Sequence, residues 1–143
     1  MKAIQHISLL FIGVICSAFA TNNSLVGSWQ LVKIFDVKNE MESFRPVNYS
    51  SEQLTFQFED NGSRGMLSGY TISNKVTGKY TLSDSTITVT QIGGTKIVEN
   101  GWGSEIWSQL KEMESFHFKN DSLIISTQNH EMELYFISSH LSK

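Results

Sequence analysis

Three kinds of side chain in this sequence invite a chemical reading: histidines, a serine behind glycines, and a group of glutamates. His117, His130 and His140 stand far apart and lack the close, regular spacing of zinc ligands. No His-Glu-x-x-His or Cys-x-x-Cys occurs, so no metal is expected. His117 lies between Phe116 and Phe118 and should point to solvent if those two face inward. Ser104 belongs to Gly101-Trp102-Gly103-Ser104-Glu105, which is not the Gly-x-Ser-x-Gly of a nucleophile elbow. A serine opening a helix is accounted for as its N-cap, its hydroxyl accepting from an otherwise unpaired N–H. Glu99, Glu105, Glu112 and Glu114 cluster in sequence. Paired carboxylates hydrolyse glycosides only across a cleft at a fixed separation, and a solvated helix face is the simpler reading. Gly93-Gly94-Thr95-Lys96 has part of a phosphate loop but lacks the full Gly-x-x-x-x-Gly-Lys-Ser/Thr. No catalytic residues and no cofactor are implied.

The aromatic residues offer binding rather than reaction. Trp102 sits between Gly101 and Gly103, ahead of the expected helix. In a loop there, it would make a contact for a protein partner or a small apolar ligand. Trp107 adjoins Ile106 at a core-facing helical position, where burial is expected.

The elements that must position these residues are mostly strands. Leu25 to Phe35 is the first, with Trp29 and Leu31 expected on one face and Val32 and Ile34 on the other. Asp36 to Ser51 loses periodicity and holds the sole proline, Pro46, as a long loop or frayed edge would. Leu54-Thr55-Phe56-Gln57-Phe58 alternates cleanly, and Asp60-Asn61-Gly62-Ser63 turns it. Arg64 to Tyr70 should return as its partner, with Gly65 and Gly69 marking a bulge or a close backbone approach. Lys75 to Leu82 and Thr86 to Gln91 form a hairpin, ended by Gly93-Gly94. Ile106, Trp107, Leu110 and Met113 then recur at helical spacing, which predicts a helix over Ser104–Glu114. Two more strands follow, Leu123-Ile124-Ile125 and the alternating Met132, Leu134, Phe136. The expected fold class is mainly β (α+β): a small antiparallel barrel or half-barrel of about eight strands, with one helix covering an end or face.

Export is expected from the first twenty residues. Met1–Ala20 carries Lys2, an apolar run from Ile7 to Ile15, and Ala18-Phe19-Ala20, an A-x-A-like cleavage site. The run is shorter than the roughly 20 residues a spanning helix needs, so the mature chain, 21–143, has no expected membrane span. Cys16 is the one cysteine. Lipidation there is an alternative, poorly served by Ile15 before it. Cleavage after Ala20 would remove the only thiol, leaving a fold held by its core alone. Charge is near balance at −3, and charged residues make up only 17%. No basic stripe is present, so nucleic acid is not an expected partner.

In the order of its elements the mature chain resembles the META domain, the family that includes the bacterial heat-shock protein HslJ. The motifs that carry the resemblance are Gly27-Ser28-Trp29, Leu54-Thr55-Phe56 with Gly62, the segment Gly69, Asn74, Gly78 and Tyr80, and Thr95-Lys96 before the helix. Many members carry a cysteine before the asparagine and another after the Thr-Lys. Here Ser73 and Ile97-Val98 stand in those places, so any disulfide or redox role of that pair is absent. The resemblance implies a secreted or envelope-associated domain, linked to stress tolerance, without an established activity. Its motif residues Gly69, Asn74, Gly78, Tyr80 and Thr95 are expected to be structural. The reading that follows is an exported, non-enzymatic, HslJ-like module with a binding or envelope-stress role, periplasmic, outer-envelope or secreted. A second reading is a lipocalin-like carrier of a small apolar ligand, since lipocalins also open on a Gly-x-Trp strand. It would need a cavity lined by residues such as Leu54, Phe56, Tyr80 and Val89. A third, a secreted hydrolase, would need an acid, a base or a nucleophile converging in one cleft.

Overall fold

The computed structural model describes residues 24–141. The expected signal segment Met1–Ala20, with Cys16, lies outside the described residues. Nine strands form one antiparallel sheet: β1 (Gly27–Asp36), β2 (Met41–Phe44), β3 (Thr55–Asp60), β4 (Arg64–Tyr70), β5 (Lys75–Ser83), β6 (Thr86–Gly94), β7 (Met113–Lys119), β8 (Ser122–Thr127) and β9 (Met132–Ser138). One helix, α1 (Trp102–Lys111), joins β6 to β7. From β3 to β9 each strand pairs with the next, and β9 pairs back onto β1. This closes an eight-strand barrel, as the alternating runs and short turns predict. The strand β2 lies outside the count. It pairs with the Lys33–Asp36 half of β1, beyond the Gly27–Gln30 half that holds β3.

Closure is thinnest between β6 and β7, whose only register pair is Thr86↔Ser115. The rest of β6 follows β5, from Ser83↔Thr86 to Val76↔Gly94. Its far end therefore departs from β7, and α1 occupies the connection between them. The helix turns Gly103, Ile106 and Leu110 inward, and Ile106 and Leu110 join the barrel core. An apolar stripe at that spacing is what a helix needs to seal an open side.

The barrel interior is filled by side chains. Leu54, Phe56, Phe58 and Phe136 are fully buried, and Tyr80 is 1% exposed. Phe56 meets Phe136 edge to face at 6.2 Å between ring centroids, and Phe58 meets Tyr80 at 5.8 Å. The Tyr80 hydroxyl escapes the apolar centre by donating to Asp60 Oδ2 at 3.1 Å. Burial, with the Asp60 charge beside it, pushes the phenol pKa well above its ordinary value. Gly69 serves close approach, as expected: a Cβ there would collide with Thr55 O and come 2.7 Å from Phe56 Cδ1. Gly78 is buried, and beside it the β5–β6 register slips between Lys79 and Tyr80.

Three local expectations need correction. The faces of β1 do not simply alternate, because the β1–β9 register shifts between Leu31 and Lys33. The extra residue, Val32, turns the strand, so Leu31 and Ile34 are both buried. The helix also begins earlier and ends earlier than Ser104–Glu114. Gly101, at φ 58°, turns the chain into α1 two residues before Ser104, and Glu105 N–H closes the first turn on Gly101 O at 3.0 Å. Ser104 is thus inside the first turn, exposed, and caps nothing. Met113 is buried as the first residue of β7, not on the helix; its helical spacing from Ile106 and Leu110 is coincidence.

Candidate functional site

Two segments distant in sequence are tied together beside α1. One is the β4–β5 turn, 71–74. The other is 95–99, which leaves β6 and leads to the helix. Asn74, 4% exposed, makes the first tie. Its Nδ2 donates to Ile97 O (2.8 Å), while its Oδ1 accepts from Ile97 N–H (2.7 Å) and Thr95 Oγ1 (3.0 Å). One carboxamide thus satisfies both backbone groups of a residue that lies in no strand, as a neighbouring strand would. Thr95 extends the tie by accepting from Lys75 N–H at 3.0 Å.

Glu99 makes the second tie. Its carboxylate accepts from Thr71 Oγ1 at 2.8 Å, from Asn74 N–H at 3.1 Å, and from Ser73 N–H. The carboxyl also lies against Gly103, where an added Cβ would come 2.8 Å from Glu99 Cδ. A negative group there is favoured by the partial positive charge of a helix N-terminus. Burial is the largest single influence on this acid and would raise its pKa. The hydrogen bonds from Ser73, Asn74 and Thr71 together outweigh it and hold the carboxyl below its ordinary range. The sign for stability follows. A depressed native pKa adds stability above the unfolded value, about 4.3, and that stability is lost as pH falls through the native value. Thermal unfolding followed from neutral pH downward should therefore show an acid-induced loss below about pH 4.5 that Glu99→Gln reduces. An unchanged acid profile in Glu99→Gln would remove Glu99 from this role.

These ties hold one wall of an open groove of about 500 Å³. Residues 95–99 and Asn74 form that wall, the end of β6 (Ile92, Gly93, Gly94) the floor, and Ser104, Trp107 and Lys111 of α1 the other side. Trp107 is half-buried against the core, with Lys111 Nζ 5.8 Å from its ring centroid. Ile97 and Val98 are exposed, Val98 by 91%. Lys96 supplies a second ammonium group.

Of the residues expected to matter, Asn74 and Thr95 meet at this wall, while Gly69, Gly78 and Tyr80 serve the barrel. Trp102 stands elsewhere. It is the first residue of α1 rather than a loop residue, half-buried, with its indole N–H donating to Ser43 Oγ of β2 at 3.0 Å. Glu99 was expected on a solvated helix face and instead precedes the helix, bound to the 71–74 turn. No local pattern marks it, because Thr71 lies 28 positions away and Ser73 26. Trp107 was expected in the core and borders the groove. His117 is exposed, as its place between Phe116 and Phe118 predicts. Among the described residues no group of three or more His, Cys, Asp or Glu is placed to hold a metal ion. No helix among them is long and apolar enough to cross a membrane.

Fold and wall together define a class: a closed antiparallel barrel sealed by one helix, with an asparagine and a threonine tying the connection that leads to it. The chain belongs to the META domain family, whose model matches residues 23–138. Two solved structures share the fold. A protein from Burkholderia xenovorans, determined by NMR, is 16% identical with a TM-score of 0.60, over 78% of this chain and 80% of that one. A crystal structure of a DUF4847 family protein from Bacteroides vulgatus is 12% identical with a TM-score of 0.54, over 78% and 91%. No curated protein gives a match.

Proposed function

We propose that this chain is an exported META domain protein that acts by binding, without catalysis, in a role supporting the cell envelope under stress. One observation carries the reading. The polar motif residues Asn74 and Thr95, with Glu99, direct their hydrogen bonds to the chain's own turn and wall. They leave the groove an exposed chemistry of one tryptophan, aliphatic side chains, two ammonium groups and the Ser104 hydroxyl, with the one carboxylate of the lining, Glu99, already engaged by the 71–74 turn, which suits recognition rather than reaction. Export rests on the leader pattern of Met1–Ala20. A carrier with its ligand inside the barrel is less well served, since Leu54, Phe56 and Tyr80 are buried against one another's cluster. A small ligand finds room in the groove instead.

Two measurements test this. Assayed against chromogenic esters, glycosides, phosphate esters and peptides, the purified protein should show no saturable turnover. Turnover abolished by Ser104→Ala or Glu99→Gln would overturn the non-enzymatic reading. Mass spectrometry of the cell-processed protein should find a chain beginning at Thr21; a lipid on Cys16 or an intact Met1 would contradict simple secretion.

A further inference from the structure

We infer that the groove beside α1 takes a small amphiphilic anion: one apolar chain or ring ending in a carboxylate. This rests on the binding reading above and names the ligand class. The apolar part of the site is Trp107, Ile92 and the floor of Gly93 and Gly94. Glycine matters here for what it leaves open. A Cβ on Gly94 would come 3.2 Å from Trp107 Cη2, so the missing side chain leaves that edge of the indole uncovered, whereas Gly93, paired with the exposed Thr77, faces the other side of the strand.

The head of the ligand is set by charge. Lys96 and Lys111 line the groove. Among the described residues the one lysine–carboxylate ion pair is Lys33–Glu42, so neither groove lysine is neutralised by a carboxylate. Glu99 is the one acidic residue in the lining, and its oxygens are occupied by Thr71, Ser73 and Asn74. Two unpaired cations beside one satisfied carboxylate give the groove a local positive balance on a chain of net charge −3. A volume of about 500 Å³ suits a monomeric small molecule. Lys111 Nζ stands over the Trp107 ring at 5.8 Å from its centroid, so a charged head at Lys111 is held beside the indole that meets the apolar body.

The test is a calorimetric titration of the full chain, as the cell processes it, with monomeric decanoate. Decanol and decyltrimethylammonium are the uncharged and charge-reversed controls. Decanoate should bind saturably at one site, at least tenfold more tightly than either control. Lys96→Glu with Lys111→Glu should weaken decanoate at least tenfold and improve decyltrimethylammonium. Ser104→Trp, a bulky change at an exposed residue of the groove lining, should weaken decanoate and decanol alike, and its unchanged unfolding temperature would show that the loss is blockage. Equal affinity for all three heads, or decanoate binding untouched by Ser104→Trp, would overturn the proposal. So would binding to phosphatidylglycerol vesicles with none to monomeric decanoate. Failure of decanoate without turnover sinks the ligand class alone, whereas turnover sinks the non-enzymatic reading and leaves the ligand class to this titration.

Discussion

Asn74→Ala should lower stability by roughly 2–3 kcal/mol, from three lost hydrogen bonds at about 0.5–1.5 kcal/mol each. For a domain of this size that is a fall of roughly 10 °C in unfolding temperature. The loss is large because one buried carboxamide serves Thr95 Oγ1 and both backbone groups of Ile97. Its local effect should exceed its global one. Ile97 is half-exposed, so water can replace part of what Asn74 gave, and the 95–99 wall is freed before the barrel opens. Amide hydrogen exchange should show Ile97 N–H losing protection while β3 and β5 keep theirs. Asn74→Asp separates donor from acceptor. It keeps the oxygen that Ile97 N–H and Thr95 use, loses the donor to Ile97 O, and adds a negative charge to a turn that already holds Glu99. It should be no better than alanine at neutral pH. If Asn74→Ala unfolds within a degree or two of the parent, the wall is not held in this way.

The second large effect sets two neighbouring glycines against each other. In Gly94→Ala the new Cβ would overlap Lys75 O and come 3.0 Å from Lys75 C and 3.2 Å from Trp107 Cη2. The first obstacle is backbone and cannot rotate away. To make room, β5 and β6 must separate where Val76 pairs with Gly94, which threatens the Thr95 N–H to Lys75 O bond at 3.1 Å. A cost of about 2–3 kcal/mol is expected, at the upper end for overpacking. One residue earlier the outcome reverses. Gly93→Ala places its Cβ in open space, so it should be neutral or stabilise by up to about 1 kcal/mol through a less flexible unfolded chain. Denaturant titrations of the two variants measure the contrast. Equal destabilisation would mean that the end of β6 does not lie against Lys75 as described.

Much of the barrel is legible in the order of residues, because alternation is enforced wherever one face is buried. The strand expected over Arg64 to Tyr70 is found with those bounds. The alternation of Leu54, Phe56 and Phe58 likewise names three core residues correctly. Where period-two reasoning failed, a single inserted residue was the cause. The bulge at Val32 depends on the partner strand β9, over a hundred residues downstream, and nothing local announces it. The helix start failed for a different reason. Serine is a good cap, but Gly101 adopts a left-handed φ and begins the helix first.

The site was only half legible. The family motifs single out Asn74 and Thr95, and the two side chains share a hydrogen bond. Glu99 and the groove were not visible. They arise from contacts between the 71–74 turn and the 95–99 segment, which no window of sequence contains. Ser73 and Ile97-Val98, the places where many family members carry cysteines, lie on these same two segments. In this chain the segments are joined by Asn74 with Ile97 and by Ser73 with Glu99, without a covalent link.

The account places the binding site outside the barrel, beside α1, and one measurement addresses that directly. Backbone and indole NMR shifts should be followed as decanoate is added to the protein. The account predicts that the Trp107 indole N–H and the amides of Ile92, Gly93, Gly94 and Ile97 move together and saturate, while Leu54, Phe56 and Tyr80 stay still. Shifts centred on Leu54, Phe56 and Tyr80, with Trp107 unmoved, would put the ligand inside the barrel and contradict it.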